Sequence, residues 1–162
     1  MNTLFNIDGN ITVITGGTGI LGRAIAKYLA LNGAKVIILG RKEEVGHQIV
    51  ADIKTAIQSE KATGSIEFMK TDVMNPAVVQ QNCDDIVSKY GRVDTLLNAA
   101  GGNMKGAVIA PDQTIFDLQT DQFQSVLNLN LTGTVIPTQV FLKPMVKQGK
   151  GNVINFSFGL LT

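Results

Sequence analysis

The chain has 162 residues, with 14 Lys and Arg against 13 Asp and Glu and a formal charge of +1. One domain over 1–162 with a sizeable core is expected, and the charge balance argues against a nucleic-acid partner. A single cysteine, Cys83, and a single histidine, His47, exclude a disulfide framework, a cysteine zinc site and a two-histidine centre, so no metal is expected. No apolar run approaches the roughly 18 residues of a membrane span, and the opening MNTLFNIDGN lacks the basic and apolar regions of a signal peptide. The cytoplasm is the expected location, with no membrane partner.

Strand signals and helical stripes alternate along the chain. Ile11, Val13 and Ile14 form a β-branched run that stops at Thr15-Gly16-Gly17. Leu21, Ala24, Ile25, Tyr28 and Leu29 then mark a helical stripe, closed by Asn32-Gly33. Val36-Ile37-Ile38-Leu39 is too short for a buried helix and reads as a second strand ending at Gly40-Arg41. Val45, Ile49, Ile53, Ala56 and Ile57 place a second helix over 42–61, and residues 66–69 form a third strand. Val79, Cys83, Ile86 and Tyr90 mark a third helix, starting at Pro76 with Asn75 as N-cap. Residues 93–97 read as a fourth strand.

Residues 99–117 carry no period, and about 19 irregular residues in a compact domain read as a functional loop. Phe123, Val126, Leu127, Leu131 and Val135 begin a fourth helix, which Pro137 is expected to kink by removing a backbone donor. A fifth strand covers 153–156. The alternation defines an α/β fold, a Rossmann-like doubly wound parallel sheet. Cys83 lies on an apolar stripe and reads as core; His47, among polar neighbours, reads as surface.

Glycine makes up 17 residues, above the usual ~7%, and clusters where backbone would approach a ligand. Between the first strand and first helix stands Thr15-Gly16-Gly17-Thr18-Gly19-Ile20-Leu21-Gly22. Glycines at 16, 19 and 22 permit a tight turn, close approach to a pyrophosphate and close helix–strand packing, while the first helical amides and the helix dipole favour an anion. Gly16, Thr18, Gly19, Ile20 and Gly22 are therefore candidate cofactor-binding residues; a merely structural turn is the competing reading. No Gly-Lys-Ser/Thr follows, which excludes a Walker loop. An NAD site expects an acid about 20 residues on, for the ribose hydroxyls. The second strand ends instead in Gly40-Arg41-Lys42. Arg41 can pair with the 2′-phosphate of NADP, which makes NADP preferred over NAD, or it can simply face solvent.

These segments together resemble the short-chain dehydrogenase/reductase family over nearly the whole chain. TGGTGILG is similar to the family's cofactor turn, although the middle glycine falls one place early at Gly19, a spacing also similar to the extended, epimerase-like branch. Asp72-Val73 resembles the adenine-contacting pair. Asn98-Ala99-Ala100-Gly101 resembles the Asn-Asn-Ala-Gly segment lining the cofactor site, so Asn98, Ala99 and Gly101 are implied there. Asn128-Leu129-Asn130-Leu131-Thr132-Gly133 looks like the helix carrying the active-site Asn, which implies that role for Asn130. Gly101-Gly102-Asn103 and the loop after it look like the sugar-acid reductases, of the fructuronate/mannonate or gluconate type.

The resemblance implies an oxidoreductase acting on a small hydroxyl or carbonyl substrate through a Tyr-x-x-x-Lys pair and an upstream Ser. The only tyrosines, Tyr28 and Tyr90, are followed four residues later by Asn32 and Asp94, and Phe158 occupies the serine position after Ser157. The expectation is five strands of a normally seven-stranded sheet, cut before the catalytic residues, binding the dinucleotide without family-like turnover. A non-catalytic nucleotide-binding or partner-binding module and a functionless product remain as alternatives, and a homo-oligomer is left open.

Overall fold

Ile11–Thr15 (β1), Lys35–Gly40 (β2), Ser65–Lys70 (β3), Thr95–Asn98 (β4) and Asn152–Asn155 (β5) pair in parallel in the order β3-β2-β1-β4-β5. They lie in a computed structural model that describes residues 6–156. Ser157 and Phe158, to which the resemblance attached the serine position, fall outside the described residues. Register runs from Thr12 opposite Val36 and Thr95 to Thr15 opposite Leu39 and Asn98. The order reverses between β1 and β4, and at such a switch point loops splay apart at the carboxyl ends of the strands.

Each central strand is apolar on both faces because helices cover both. Val13, Ile37 and Leu96 point to one side, where Val79, Cys83, Ile86, Val140 and Phe141 complete a core. Ile14, Ile38 and Leu97 point to the other, against Ala26, Ala30, Ile49 and Ile53. The first core is covered by Pro76–Tyr90 (α3) and Gly133–Lys147 (α5), the second by Ile20–Leu31 (α1) and Glu43–Ser59 (α2). Cys83 is 1% exposed, and burial pushes its thiol up to about 11, as befits a core residue. His47 is exposed, its ring edge-on to Phe68 at 5.4 Å.

The helix starts follow the sequence signals. Asn75 caps α3, its Oδ1 accepting from Ala77 N at 3.1 Å and Val78 N at 3.3 Å, with Pro76 at the first position. Asn75→Ala should cost about 1 kcal/mol, a fall of roughly 2–4 °C in Tm for a domain of this size. Differential scanning calorimetry checks this, and an unchanged Tm would show the cap to be redundant.

Two expectations need correction. The buried side of α1 is Gly22, Ala26 and Ala30, with Ile25 and Leu29 partly covered, while Leu21 and Tyr28 are 39% and 67% exposed. The helix lies close on the sheet, so small residues do the packing and the larger ones turn outward. The fourth helix is also not one rod kinked at Pro137. Thr120–Leu127 (α4) passes through a π-helical turn, Asn128–Thr132, into α5, whose interior contains Pro137 and Pro144. The register change precedes Pro137. Phe123, Leu127, Leu131 and Val135 lie on the exposed side at 41%, 41%, 64% and 42%, because Val140, Phe141 and Met145 supply the core side.

Candidate active site

A cleft opens above the carboxyl ends of β1, β2 and β4, at the switch point. Its floor is the turn from β1 into α1. Gly16 has φ +65°, and a Cβ there would lie 2.5 Å from Ala99 O and 2.7 Å from Ala100 Cα. A Cβ at Gly22 would lie 2.4 Å from Gly16 O. Both glycines are therefore needed for the turn to sit between β4 and α1. The turn is closed by Gly19 N donating to Gly16 O at 2.9 Å and held to β2 by Gly17 N donating to Leu39 O at 3.2 Å.

Gly19 is the N-cap of α1 in extended backbone, with no side-chain capping bond and no acid in the first turn. The next amides thus lack a side-chain acceptor among the described residues, at the positive end of the helix dipole, the arrangement an anion takes up. A pyrophosphate fits this donor set.

The side walls come from residues that sequence reasoning had named in part. Gly16, Thr18, Gly19, Arg41, Asp72, Val73, Ala99 and Gly101 line the cleft, joined by Leu39, Gly40, Thr71, Ala100 and Leu129. Ile20 heads α1 at 81% exposure; Gly22 lies behind the turn, and Asn98 and Asn130 stand outside the lining. A Cβ on Gly40 would lie 2.8 Å from Thr18, so the strand end leaves room for that side chain. Arg41 is exposed and forms no ion pair among the described residues. Asp72 is exposed, one oxygen taking Met74 N at 3.0 Å, and Val73 is buried at 6% exposure.

Several polar anchors escaped the sequence reading. Thr15, fully buried, accepts on Oγ1 from Ala99 N at 3.2 Å and Ala100 N at 3.1 Å, tying the loop after β4 to β1. Asn82 donates to Thr71 Oγ1 at 2.6 Å and Lys70 O at 3.3 Å, fixing the end of β3 beside Asp72. Asn82 sits next to Cys83 on an otherwise apolar helix face, the one signal that could have found it.

Asn98 Nδ2 donates to Thr138 Oγ1 and to Asn155 Oδ1, both at 2.9 Å, joining β4 to α5 and β5, while its Oδ1 is buried and has no partner among the described residues. Asn130, in the π turn, spends its whole amide on Gly102: Oδ1 accepts from Gly102 N at 2.9 Å and Nδ2 donates to Gly102 O at 3.0 Å. Asn130 thus clasps the loop that walls the cleft.

Neither tyrosine approaches the cleft. Tyr28 is on the exposed side of α1. Tyr90 ends α3, on the side of the sheet where strands begin, and donates to Glu67, which Lys89 pairs at 2.6 Å. Burial, then the bond to Glu67, raises the Tyr90 phenol above its ordinary value. Burial also pushes Glu67 upward, but bonds from Lys89 and Tyr90 outweigh it and hold the carboxyl low. Among the described residues no three potential metal ligands cluster, and no helix is long and apolar enough to cross a membrane.

A parallel sheet in the order 3-2-1-4-5, with a glycine turn and an uncapped helix start at its switch point, defines a Rossmann-like α/β domain. The chain belongs to the short chain dehydrogenase family, whose model matches residues 10–159. It is 34% identical over 160 residues to the uncharacterized oxidoreductase UxuB of Bacillus subtilis, covering 94% of this chain and 55% of that protein. It is 34% identical over 150 residues to a 3beta-hydroxysteroid dehydrogenase of Mediterraneibacter gnavus, covering 93% and 50%. Among solved structures, a candidate D-mannonate oxidoreductase from Haemophilus influenzae with bound NAD superposes with a TM-score of 0.80 at 32% identity, covering 94% of this chain and 56% of that one. The chain spans about half the length of the curated relatives it matches.

Proposed function

We propose that residues 1–162 form the dinucleotide-binding domain of an NAD(P)-dependent oxidoreductase, a cytoplasmic protein whose substrate is a hydroxyl or carbonyl compound of the sugar-acid class. One observation carries the reading: the amides at the start of α1, uncapped and without an acidic neighbour, open into the cleft at the switch point. In this reading Gly16, Thr18, Gly19 and Ile20 surround the pyrophosphate, and Gly22 behind the turn lets α1 pack close to it. Asp72 and Val73 meet the adenine, and Arg41 takes the 2′-phosphate of NADP. Ala99 and Gly101 form the wall toward the nicotinamide, with Asn98 and Asn130 behind it. The dinucleotide supplies or accepts the hydride; the chain's own residues hold the anion and fix the two ends of the cofactor. The NAD held by the Haemophilus relative supports a nicotinamide dinucleotide, and that relative's D-mannonate description supports a sugar acid.

Arg41 supports NADP over NAD, because it is exposed at the cleft rim with no carboxylate engaging it among the described residues. Thermal shift with NADPH, NADH and 2′,5′-ADP tests both statements. Ligand at a hundred times Kd adds about 2.7 kcal/mol of stability, so the larger upward shift is expected with NADPH, and Arg41→Ala should remove that advantage while leaving NADH unchanged. A larger shift with NADH reverses the preference. No shift with any of the three at millimolar concentration overturns the binding reading.

A second reading, a nucleotide-binding or partner-binding module without turnover, is favoured by the position of both tyrosines away from the cleft. The exposed Phe123, Leu127, Leu131 and Val135 face is the surface that a homo-oligomer would cover.

A further inference from the structure

We infer that Thr138 and Thr134 are positioning residues, transmitting the location of the β4 and β5 ends to Asn130 and so holding the Gly101–Gly102 wall of the cleft. The inference rests on the dinucleotide reading only for its ligand consequence. Its structural part stands on a connected set of bonds. Asn98 Nδ2 donates to Thr138 Oγ1 at 2.9 Å; Thr138 Oγ1 donates to Thr134 O at 2.8 Å; Thr134 Oγ1 donates to Asn130 O at 2.9 Å. Asn130 then clasps Gly102 through both ends of its amide. The direction is fixed at Thr138: its oxygen receives an amide hydrogen, so its own hydrogen must go to a different acceptor, and Thr134 O is the one in place.

Threonines that bond back to the carbonyl four residues earlier bend and slightly weaken helices. Here two of them, at successive turns at the start of α5, directly follow the π turn Asn128–Thr132 and flank Pro137. Pro137 has no N–H to offer the carbonyl of Gly133, and Gly133 N reaches back five residues to Asn128 O. The main chain around Asn130 is therefore not fixed by a regular ladder, and π turns of this kind concentrate at functional sites. The side-chain bonds from Thr134 and Thr138 replace part of that ladder and refer it to the sheet. A Cβ on Gly101 would lie 2.8 Å from Asn130 Oδ1, so a shift of Asn130 moves the wall directly. Each link passes through a residue's covalent frame, so position is transmitted rather than charge.

The experiment is hydrogen exchange at the Gly102 amide, followed by NMR on the full 162-residue chain without ligand. Thr138→Val keeps shape and removes the hydroxyl; it should speed Gly102 exchange about tenfold, the scale of one lost hydrogen bond, while β1 and β2 amides stay unchanged. Thr138→Ser should restore the parent rate. Thr134→Val, which leaves Asn98 its acceptor, should reproduce the effect and serves if Thr138→Val does not fold. In an Asn130→Ala background Thr138→Val should add nothing, which marks the two as coupled. In the ligand arm, Thr138→Val should weaken NADPH severalfold and leave 2′,5′-ADP, which lacks the nicotinamide end, at parental affinity. Unchanged Gly102 exchange in folded Thr138→Val and Thr134→Val overturns the inference, as does equal acceleration in β1 and β2. If the exchange responds as stated but the parent binds neither ligand, the positioning role holds and the dinucleotide reading fails.

Discussion

Gly19→Asp should leave the protein folded, within about 1 kcal/mol of the parent's stability, and yet weaken NADPH binding roughly 100-fold. The two effects separate because of where Gly19 sits. Its backbone is extended, with φ −76° and ψ 171°, open to any residue. A Cβ there would meet Gly16 O at 3.2 Å, a close contact that the turn must relieve by a few tenths of an ångström. Aspartate is among the preferred N-cap residues and would satisfy an amide that glycine leaves without a side-chain partner, for a gain of a few tenths of a kcal/mol. The same carboxylate would occupy the amides meant for the pyrophosphate and repel it. Gly19→Asn is the control: it caps without charge and should retain more affinity than aspartate. Gly16→Val is less informative, since its Cβ would strike the backbone of Ala99 and Ala100 and remove fold and ligand together. Thermal unfolding and a fluorescence titration on each variant give the answer. If Gly19→Asp is folded and binds NADPH as tightly as the parent, the pyrophosphate does not lie at the start of α1.

The strands were readable because a buried parallel strand needs apolar side chains on both faces, and Val36-Ile37-Ile38-Leu39 fits little else. The start of α3 was readable because Asn75-Pro76 combines a cap acceptor with a residue suited to the first helical position. The buried side of α1 was misread for a physical reason. Periodicity weights large apolar residues, whereas a helix lying against a glycine turn packs through small ones, here Gly22, Ala26 and Ala30. The cleft lining was largely legible through the glycine spacing and the family resemblance, since Gly16, Thr18, Gly19, Arg41, Asp72, Val73, Ala99 and Gly101 converge there. The supports behind it were not. Thr15 to Ala100, Asn82 to Thr71 and Asn98 to Thr138 join residues 85, 11 and 40 apart in sequence, and no local pattern encodes such pairs. The π turn was hidden likewise: Asn128, Asn130 and Thr132 are weak helix formers but carry no mark of a change in register, which is evident only from Gly133 N bonding to Asn128 O.

The 162-residue chain alone should not interconvert a hydroxyl and a carbonyl at a rate typical of its family. Hydride delivery to a carbonyl leaves an alkoxide that needs a proton from a group whose pKa is near the working pH. A phenol does this only when a cation beside it lowers a value near 10. Tyr28 lies on the outer side of α1 at 67% exposure, far from the strand ends that bear the cleft. Tyr90 has Lys89 beside it, but burial and the bond to Glu67 raise its phenol, and the end of α3 lies opposite the cleft. His47 is on α2, exposed and directed at Phe68. Asn130 can neither give nor take a proton, and its amide is committed to Gly102. Phe158 in the sequence brings no hydroxyl to the position where the resemblance places serine. A missing general acid costs about 10²–10⁴-fold. The measurement is NADPH consumption with a panel of keto sugar acids, on protein freed of host reductases. A signal that persists in Gly19→Asp belongs to a contaminant. Multiple turnovers that vanish in Gly19→Asp would refute the expectation, and would mean that a residue assigned here to structure, or one brought by a partner, delivers the proton.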